Sequence, residues 1–110
     1  MLTAFFAYTT SLNGYSSKEY LVNMYSDEKV KNDIDKIKDQ VDVILVSMHW
    51  GKENTNTPTE SQRQIADYLS SLGVNMIIGH HPHVVQPVEY VNDTLVIYSL
   101  GNFISNQLSL

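Results

Sequence analysis

The sequence predicts an α/β domain built on a mostly parallel sheet. Three apolar segments, residues 2–9, 41–47 and 74–78, are rich in β-branched or aromatic side chains and have the length of strands. Two amphipathic segments with helix-capping residues separate them. Because strands alternate with helices over short connections, we expect the three strands in one sheet, in a three-layer or half-sandwich arrangement.

The first predicted helix lies between the first two strands. Ser26 suits the N-cap position, and apolar residues recur at helical spacing from Val30 to Ile37. We expect this helix to end near Gln40. The strand at 41–47 is almost continuously apolar, which is typical of a strand buried on both faces.

The second predicted helix completes a βαβ unit over residues 41–78. Thr57 suits its N-cap, Pro58 its first position and Gly73 its C-terminal stop. Its buried stripe is predicted to be Ile65, Leu69 and Leu72. The strands of such a unit run parallel, so both end at the same edge of the sheet. Residues 84–91 and 94–99 then predict a hairpin that turns at Asn92-Asp93.

Composition narrows the possible functions. The chain has 110 residues, enough for one domain, and a net charge of −5 with only seven Lys and Arg, so a nucleic-acid partner is not expected. Cysteine is absent, so a metal site has to use His, Asp, Glu or Asn. We find no signal or transmembrane segment, since residues 1–10 lack a basic start and no apolar run nears ~20 residues.

Histidine placement is the strongest functional feature. Three of the four histidines, His80, His81 and His83, directly follow the strand at 74–78, and His49 follows the strand at 41–47. Ligands of α/β folds bind at the carboxyl ends of parallel strands. If these strands are neighbours, the two histidine groups lie close together, and imidazole is a common ligand of zinc and related ions. The sequence therefore predicts a divalent metal site there.

The residues of this site receive separate predicted roles. His49, His81 and His83 are predicted ligands, and the latter two project to one side of an extended segment. His80 has three possible roles: a ligand, a general acid, or a hydrogen-bond donor to an anion. Solvated histidines in a plain α/β domain remain the simpler alternative.

Two further residues are candidates for substrate binding. Trp50 is either a substrate platform or a packing residue, and packing is the more common role of a tryptophan. Asn102 offers a neutral oxygen ligand or an anion contact just past the last predicted strand.

Several segments together resemble the CapA-type proteins of poly-γ-glutamate capsule biosynthesis. The matching segments, in order, are Ala7-Tyr8-Thr9, Leu12-Asn13-Gly14, His49-Trp50-Gly51, Pro58-Thr59 with Gln62, residues 79–87 and residues 98–103. The resemblance implies the C-terminal half of a calcineurin-like metallophosphoesterase αββα sandwich. Family members are longer and carry upstream Asp and Asn-Asn-His motifs that supply further metal ligands.

The resemblance also implies a function. The parent protein would be a metal-dependent hydrolase that uses zinc, manganese or iron on a phosphoester or a γ-glutamyl amide, and this chain alone would hold an incomplete, inactive site. The alternative is a non-catalytic module for polymer assembly or export. The implied partners are a polymer or small anionic substrate, and either the missing half of the sandwich or a second copy on the exposed sheet face. Association with the bacterial cell envelope is also implied.

Overall fold

A computed structural model of the chain describes residues 1–10, 23–51, 56–80 and 84–100. These residues form, in chain order, β1 (Thr3–Thr9), α1 (Asp27–Asp35), β2 (Val43–His49), α2 (Glu60–Ser71), β3 (Met76–His80), β4 (Val88–Val91) and β5 (Thr94–Ile97). The strands make one sheet in the order β1-β2-β3-β5-β4. All neighbours pair in parallel except β4 and β5, which form the predicted antiparallel hairpin. The expected mostly parallel α/β sheet is confirmed.

The helix boundaries differ from the predicted ones. The Ser26 hydroxyl caps α1 as expected, by accepting from the Lys29 amide at 3.0 Å, but the helix ends at Asp35, short of Gln40. Helix α2 is capped by Thr59 and not by Thr57. Both threonines suit an N-cap by type, but only Thr59 has a partner at the third helical position whose side chain bonds back to it.

Both described helices pack on one face of the sheet. Burial alternates along β2, β3 and β5, as expected for strands with one covered face. The core combines residues from that face with the apolar stripes of both helices: Tyr8, Ile44, Val46, Met48, Ile77, Val96, Val30, Ile34, Ile65 and Leu69. The Tyr8 hydroxyl donates to Asp33 at 2.7 Å and so ties β1 to α1. The described residues thus form two layers, one sheet and one layer of helices, and the predicted three-layer arrangement is not seen among them. No helix among them is long and apolar enough to cross a membrane.

The opposite face of the sheet carries apolar side chains without a covering layer in the described part of the chain. The strand register aligns one row across all five strands: Phe5, Leu45, Met76, Leu95 and Tyr90. A second row consists of Ala7, Ser47, Ile78, Ile97 and Val88. Phe5 is 60% exposed and Tyr90 is 71% exposed. We call this surface the open face.

The open face makes self-association the expected behaviour of the 110-residue chain. Contiguous exposed apolar surface is uncommon on monomers and drives association. We expect dimers or larger species in light scattering at micromolar concentrations, and less association for Phe5→Lys. Asn32→Lys on α1, which adds the same charge at an exposed site away from this face, serves as the control. A stable wild-type monomer across that concentration range would contradict the expectation.

Candidate functional site

Three polar residues form one row at the carboxyl edge of the open face. Thr9, His49 and His80 are the last residues of β1, β2 and β3, and they are register partners across the two parallel ladders. Neighbouring strands lie ~5 Å apart, so adjacent side chains of this row are within reach of one another. His49 and His80 thus lie at the same edge of the sheet, as expected for the ends of neighbouring parallel strands. Both are strand residues rather than the first loop residues, because the β2–β3 ladder continues to the histidines themselves.

The His49 side chain is held from the β1 side. The Thr9 hydroxyl oxygen lies 3.2 Å from Nδ1 of the His49 ring. The backbone of His49 is held as well, since its carbonyl accepts from the Thr10 amide at 3.0 Å. Both the ring and the main chain of His49 are therefore positioned by the end of β1.

His80 lies half-buried beside His49. Its carbonyl oxygen accepts from the Trp50 amide at 3.1 Å, which extends the β2–β3 pairing by one residue. Burial lowers the pKa of the His80 imidazole and so favours the neutral ring. The neutral ring is the form that coordinates metal ions, whereas a general acid has to carry a proton.

Trp50 lies on the helix-covered face, because its side chain alternates with that of His49. It is only 1% exposed, its indole Nε1 donates to the Tyr98 carbonyl at 2.9 Å, and its ring stacks on Tyr98 with centroids 5.8 Å apart. Gly79 leaves the space for this contact, since a Cβ there would collide with the Tyr98 carbonyl and the Trp50 indole nitrogen. The geometry favours packing over substrate contact for Trp50.

A buried amide pair, Gln62 and Gln86, joins the segments that flank the histidines. Gln62 is fully buried, and its Nε2 donates to Oε1 of Gln86 at 2.9 Å. Its Oε1 accepts from the Thr59 amide at 2.8 Å. A Cβ on Gly51, whose φ is +83°, would come within 2.7 Å of the Gln62 side chain. The pair thus links the residue after Trp50, the start of α2 and the segment before β4.

Glu89 of β4 belongs to a separate set of polar contacts, away from the histidines. It forms an ion pair with Arg63 at 2.9 Å, and the Arg63 guanidinium lies 5.4 Å from the centre of the Tyr98 ring. Burial, and then the nearby Glu89 charge, raise the pKa of Tyr98 to about 12. Glu89 pairs with Val96 of the core, so it lies on the opposite face from the histidines.

Several predicted site residues lie outside the described part of the chain. They are His81, His83 and Asn102. In residues 1–10, 23–51, 56–80 and 84–100, no three His, Asp or Glu side chains come together as a potential metal-binding group. The ligand roles of His81 and His83 and the substrate role of Asn102 stay predictions.

Sequence reasoning missed the structural role of Gln62, although the pattern contained it. Gln62 precedes Ile65, Ala66 and Leu69 by three, four and seven residues, so it belongs to the buried stripe of α2. A glutamine on that stripe has to find a buried partner. No pattern in the sequence identifies that partner as Gln86, because the contact joins residues 24 positions apart.

Replacing Gly79 should disturb the indole beside it. We expect Gly79→Ala to lower the free energy of unfolding by about 1–3 kcal/mol, because the added methyl overpacks a site bounded by backbone. Trp50 fluorescence should shift as well. Gly73→Ala is the control: its φ of +93° makes alanine strained, but the methyl meets no atom within 4 Å. Gly73→Ala should lower the free energy of unfolding by about 1 kcal/mol and leave the Trp50 fluorescence unchanged. Equal fluorescence in both variants would contradict the described packing.

The amide pair predicts a non-additive pair of substitutions. Gln62→Leu and Gln86→Leu should each destabilise the fold by about 1–3 kcal/mol in urea unfolding, because each removes the hydrogen bond between the two buried amides. The double variant should lose less than the sum of the two. Gln64→Ala, an exposed glutamine of the same helix, should stay within about 0.5 kcal/mol of the wild type. Additive losses would argue against the bond.

The chain is similar to one protein family and to several curated proteins. The family model described as bacterial capsule synthesis protein PGA_cap matches residues 3–107. The PGA biosynthesis protein CapA of Bacillus subtilis (strain 168) is 46% identical over 74 residues, which cover 67% of this chain and 20% of that protein. The capsule biosynthesis protein CapA of Bacillus anthracis is 39% identical over 70 residues, 64% of this chain and 17% of that protein.

A more distant relative comes from another genus. A probable polyglutamine synthesis accessory protein of Mycobacterium tuberculosis (strain CDC 1551 / Oshkosh) is 28% identical over 65 residues, 59% of this chain and 17% of that protein. The matched part of the chain thus spans at most about a fifth of the length of these curated relatives. Because the family model matches nearly the whole chain, the chain belongs to the bacterial capsule synthesis protein PGA_cap family.

Proposed function

We propose that the intact protein acts in the synthesis of a poly-γ-glutamate capsule and works at the cell envelope. Family membership supports this, together with the names of the two Bacillus relatives, which are capsule or PGA biosynthesis proteins. The proposed substrate is the anionic polymer or a small anionic precursor. The chain has a net charge of −5 and would repel such an anion. A bound metal ion would supply positive charge that attracts it.

Within that process we infer that the carboxyl edge of the open face is part of a divalent metal site in a metal-dependent hydrolase. The observation that carries this proposal is the register pairing of His49 with His80 on adjacent parallel strands. Two imidazoles side by side fit zinc or iron better than calcium or magnesium, which prefer oxygen ligands. His49, His81 and His83 would hold the ion, and further ligands would come from outside this chain.

In such a hydrolase, the ion and the residues at this edge would have separate roles. A bound divalent ion would polarise a phosphoester or γ-glutamyl amide and supply a water nucleophile at neutral pH. His80, next to His49, would share the ion, give a proton to the leaving group, or donate a hydrogen bond to the anion. The hydroxyl of Thr9 supports the His49 ring from the other side.

A second candidate function is a non-catalytic accessory module that keeps the fold and binds polymer or partner proteins. One observation favours it: the mycobacterial relative is named a probable polyglutamine synthesis accessory protein. The open face would then serve to bind the rest of the assembly.

Metal titration tests the proposed site on this chain. We expect zinc or manganese to bind the wild type in calorimetry. His49→Ala and His83→Ala should each weaken the metal affinity by more than ~10–100-fold, because that is the loss seen when only an outer-shell partner of a ligand is removed. Gln64→Ala on the exposed side of α2 should bind as the wild type does. If both histidine variants also bind like the wild type, these residues are not ligands.

Turnover distinguishes the two candidate functions. The assay uses the intact polypeptide that contains this segment, with a model phosphodiester and a γ-glutamyl peptide as substrates. A hydrolase should lose turnover in His49→Ala and keep it in Gln64→Ala. Metal binding without turnover of either substrate would favour the accessory function.

A further inference from the structure

We propose that the indole N–H of Trp50 is a positioning group that fixes where His49 and His80 lie relative to each other. The metal-binding half of this inference rests on the proposed function, whereas the positioning of the strand ends is a property of the metal-free chain. Trp50 directly follows His49 and is buried in the core, so it acts through the backbone and not on the ion itself.

The indole N–H reaches across one strand of the sheet. Trp50 follows the end of β2, whereas its acceptor, the Tyr98 carbonyl at 2.9 Å, follows the end of β5. β3 lies between these two strands. The bond passes over β3 at Gly79, where a Cβ would collide with both the Tyr98 carbonyl and the indole nitrogen. One side chain thus ties the carboxyl ends of β2 and β5 together across β3.

The backbone around this bond carries the two histidines. The Trp50 amide donates to the His80 carbonyl at 3.1 Å, and the Leu100 amide donates to the Gly79 carbonyl at 3.2 Å. The pair of His49 with His80 is the last of the β2–β3 ladder. The ends of such elements open more readily than their middles. The indole bond therefore stabilises the part of the sheet in which the histidines lie side by side.

A role in stability alone and a role in positioning predict different results. If the bond serves stability alone, its loss lowers the free energy of unfolding and leaves the affinity for zinc unchanged. If it also positions the histidines, its loss weakens zinc binding, because metal ligands bind well only when the residues around them hold them in place.

The test removes the N–H and keeps the shape of the ring. Trp50 is the only tryptophan of the chain, so expression in a tryptophan auxotroph fed benzothienylalanine, in which sulfur replaces the N–H, changes this position alone. Fluorotryptophan, which keeps the N–H, is the matched control. Thr94→Val is a second control, because it also removes a buried hydrogen bond to a carbonyl, that of Val74 at 2.6 Å, but at the start of β5, away from the histidines.

Zinc calorimetry reports the affinity, and hydrogen exchange of the Trp50 and Leu100 backbone amides reports the strand ends without metal. We expect the benzothienylalanine chain to bind zinc about tenfold more weakly than the wild type. Its two reporter amides should exchange faster by a larger factor than the Val46 amide in the middle of β2, which reports the loss of global stability. The fluorotryptophan chain and Thr94→Val should bind zinc as the wild type does.

Two results would overturn the inference. One is an unchanged zinc affinity in the benzothienylalanine chain when the wild type binds zinc. The other is exchange that rises no more at Trp50 and Leu100 than at Val46. If the wild type binds no zinc, the proposed metal site fails, and hydrogen exchange alone then decides whether the indole holds the strand ends in place.

Discussion

The parallel register of β1, β2 and β3 is the constraint on which the site depends. It aligns Thr9, His49 and His80 in one row at the carboxyl edge. Side chains alternate between the faces of a strand, so a slip of one residue in β2 would turn His49 towards the helices and Trp50 towards the open face. The buried contacts of Trp50 with Tyr98 oppose such a slip. The packing of one face therefore fixes which side chains lie on the other.

The sequence motifs divide between these two faces. In His49-Trp50 the histidine lies on the open face and the tryptophan in the core, and in Gly79-His80 the glycine lies in the core and the histidine on the open face. The amide pair of Gln62 and Gln86 then joins the segments that leave these strands. Motifs of this kind combine one residue for the site with one residue that holds its backbone in place.

The sequence was sufficient to predict the sheet and the edge of the sheet at which His49 and His80 lie, because hydrophobic periodicity and chain order determine both. It was not sufficient for local choices between similar residues. Thr57 and Thr59 both suit an N-cap, and only the return contact from Gln62 selects Thr59. The role of Trp50 depends on which face its strand position occupies, and that follows from pairing rather than composition. The calcineurin-like sandwich and the ligand roles of His81 and His83 are still predictions.

Anomalous diffraction from crystals grown with zinc tests the central claim most directly, because it locates the ion without reference to affinity or activity. The account predicts a zinc peak at the carboxyl edge of the open face, ~2.1 Å from a ring nitrogen of His49 and beside His80. A fully occupied zinc site elsewhere on the chain, with none at His49, would contradict it.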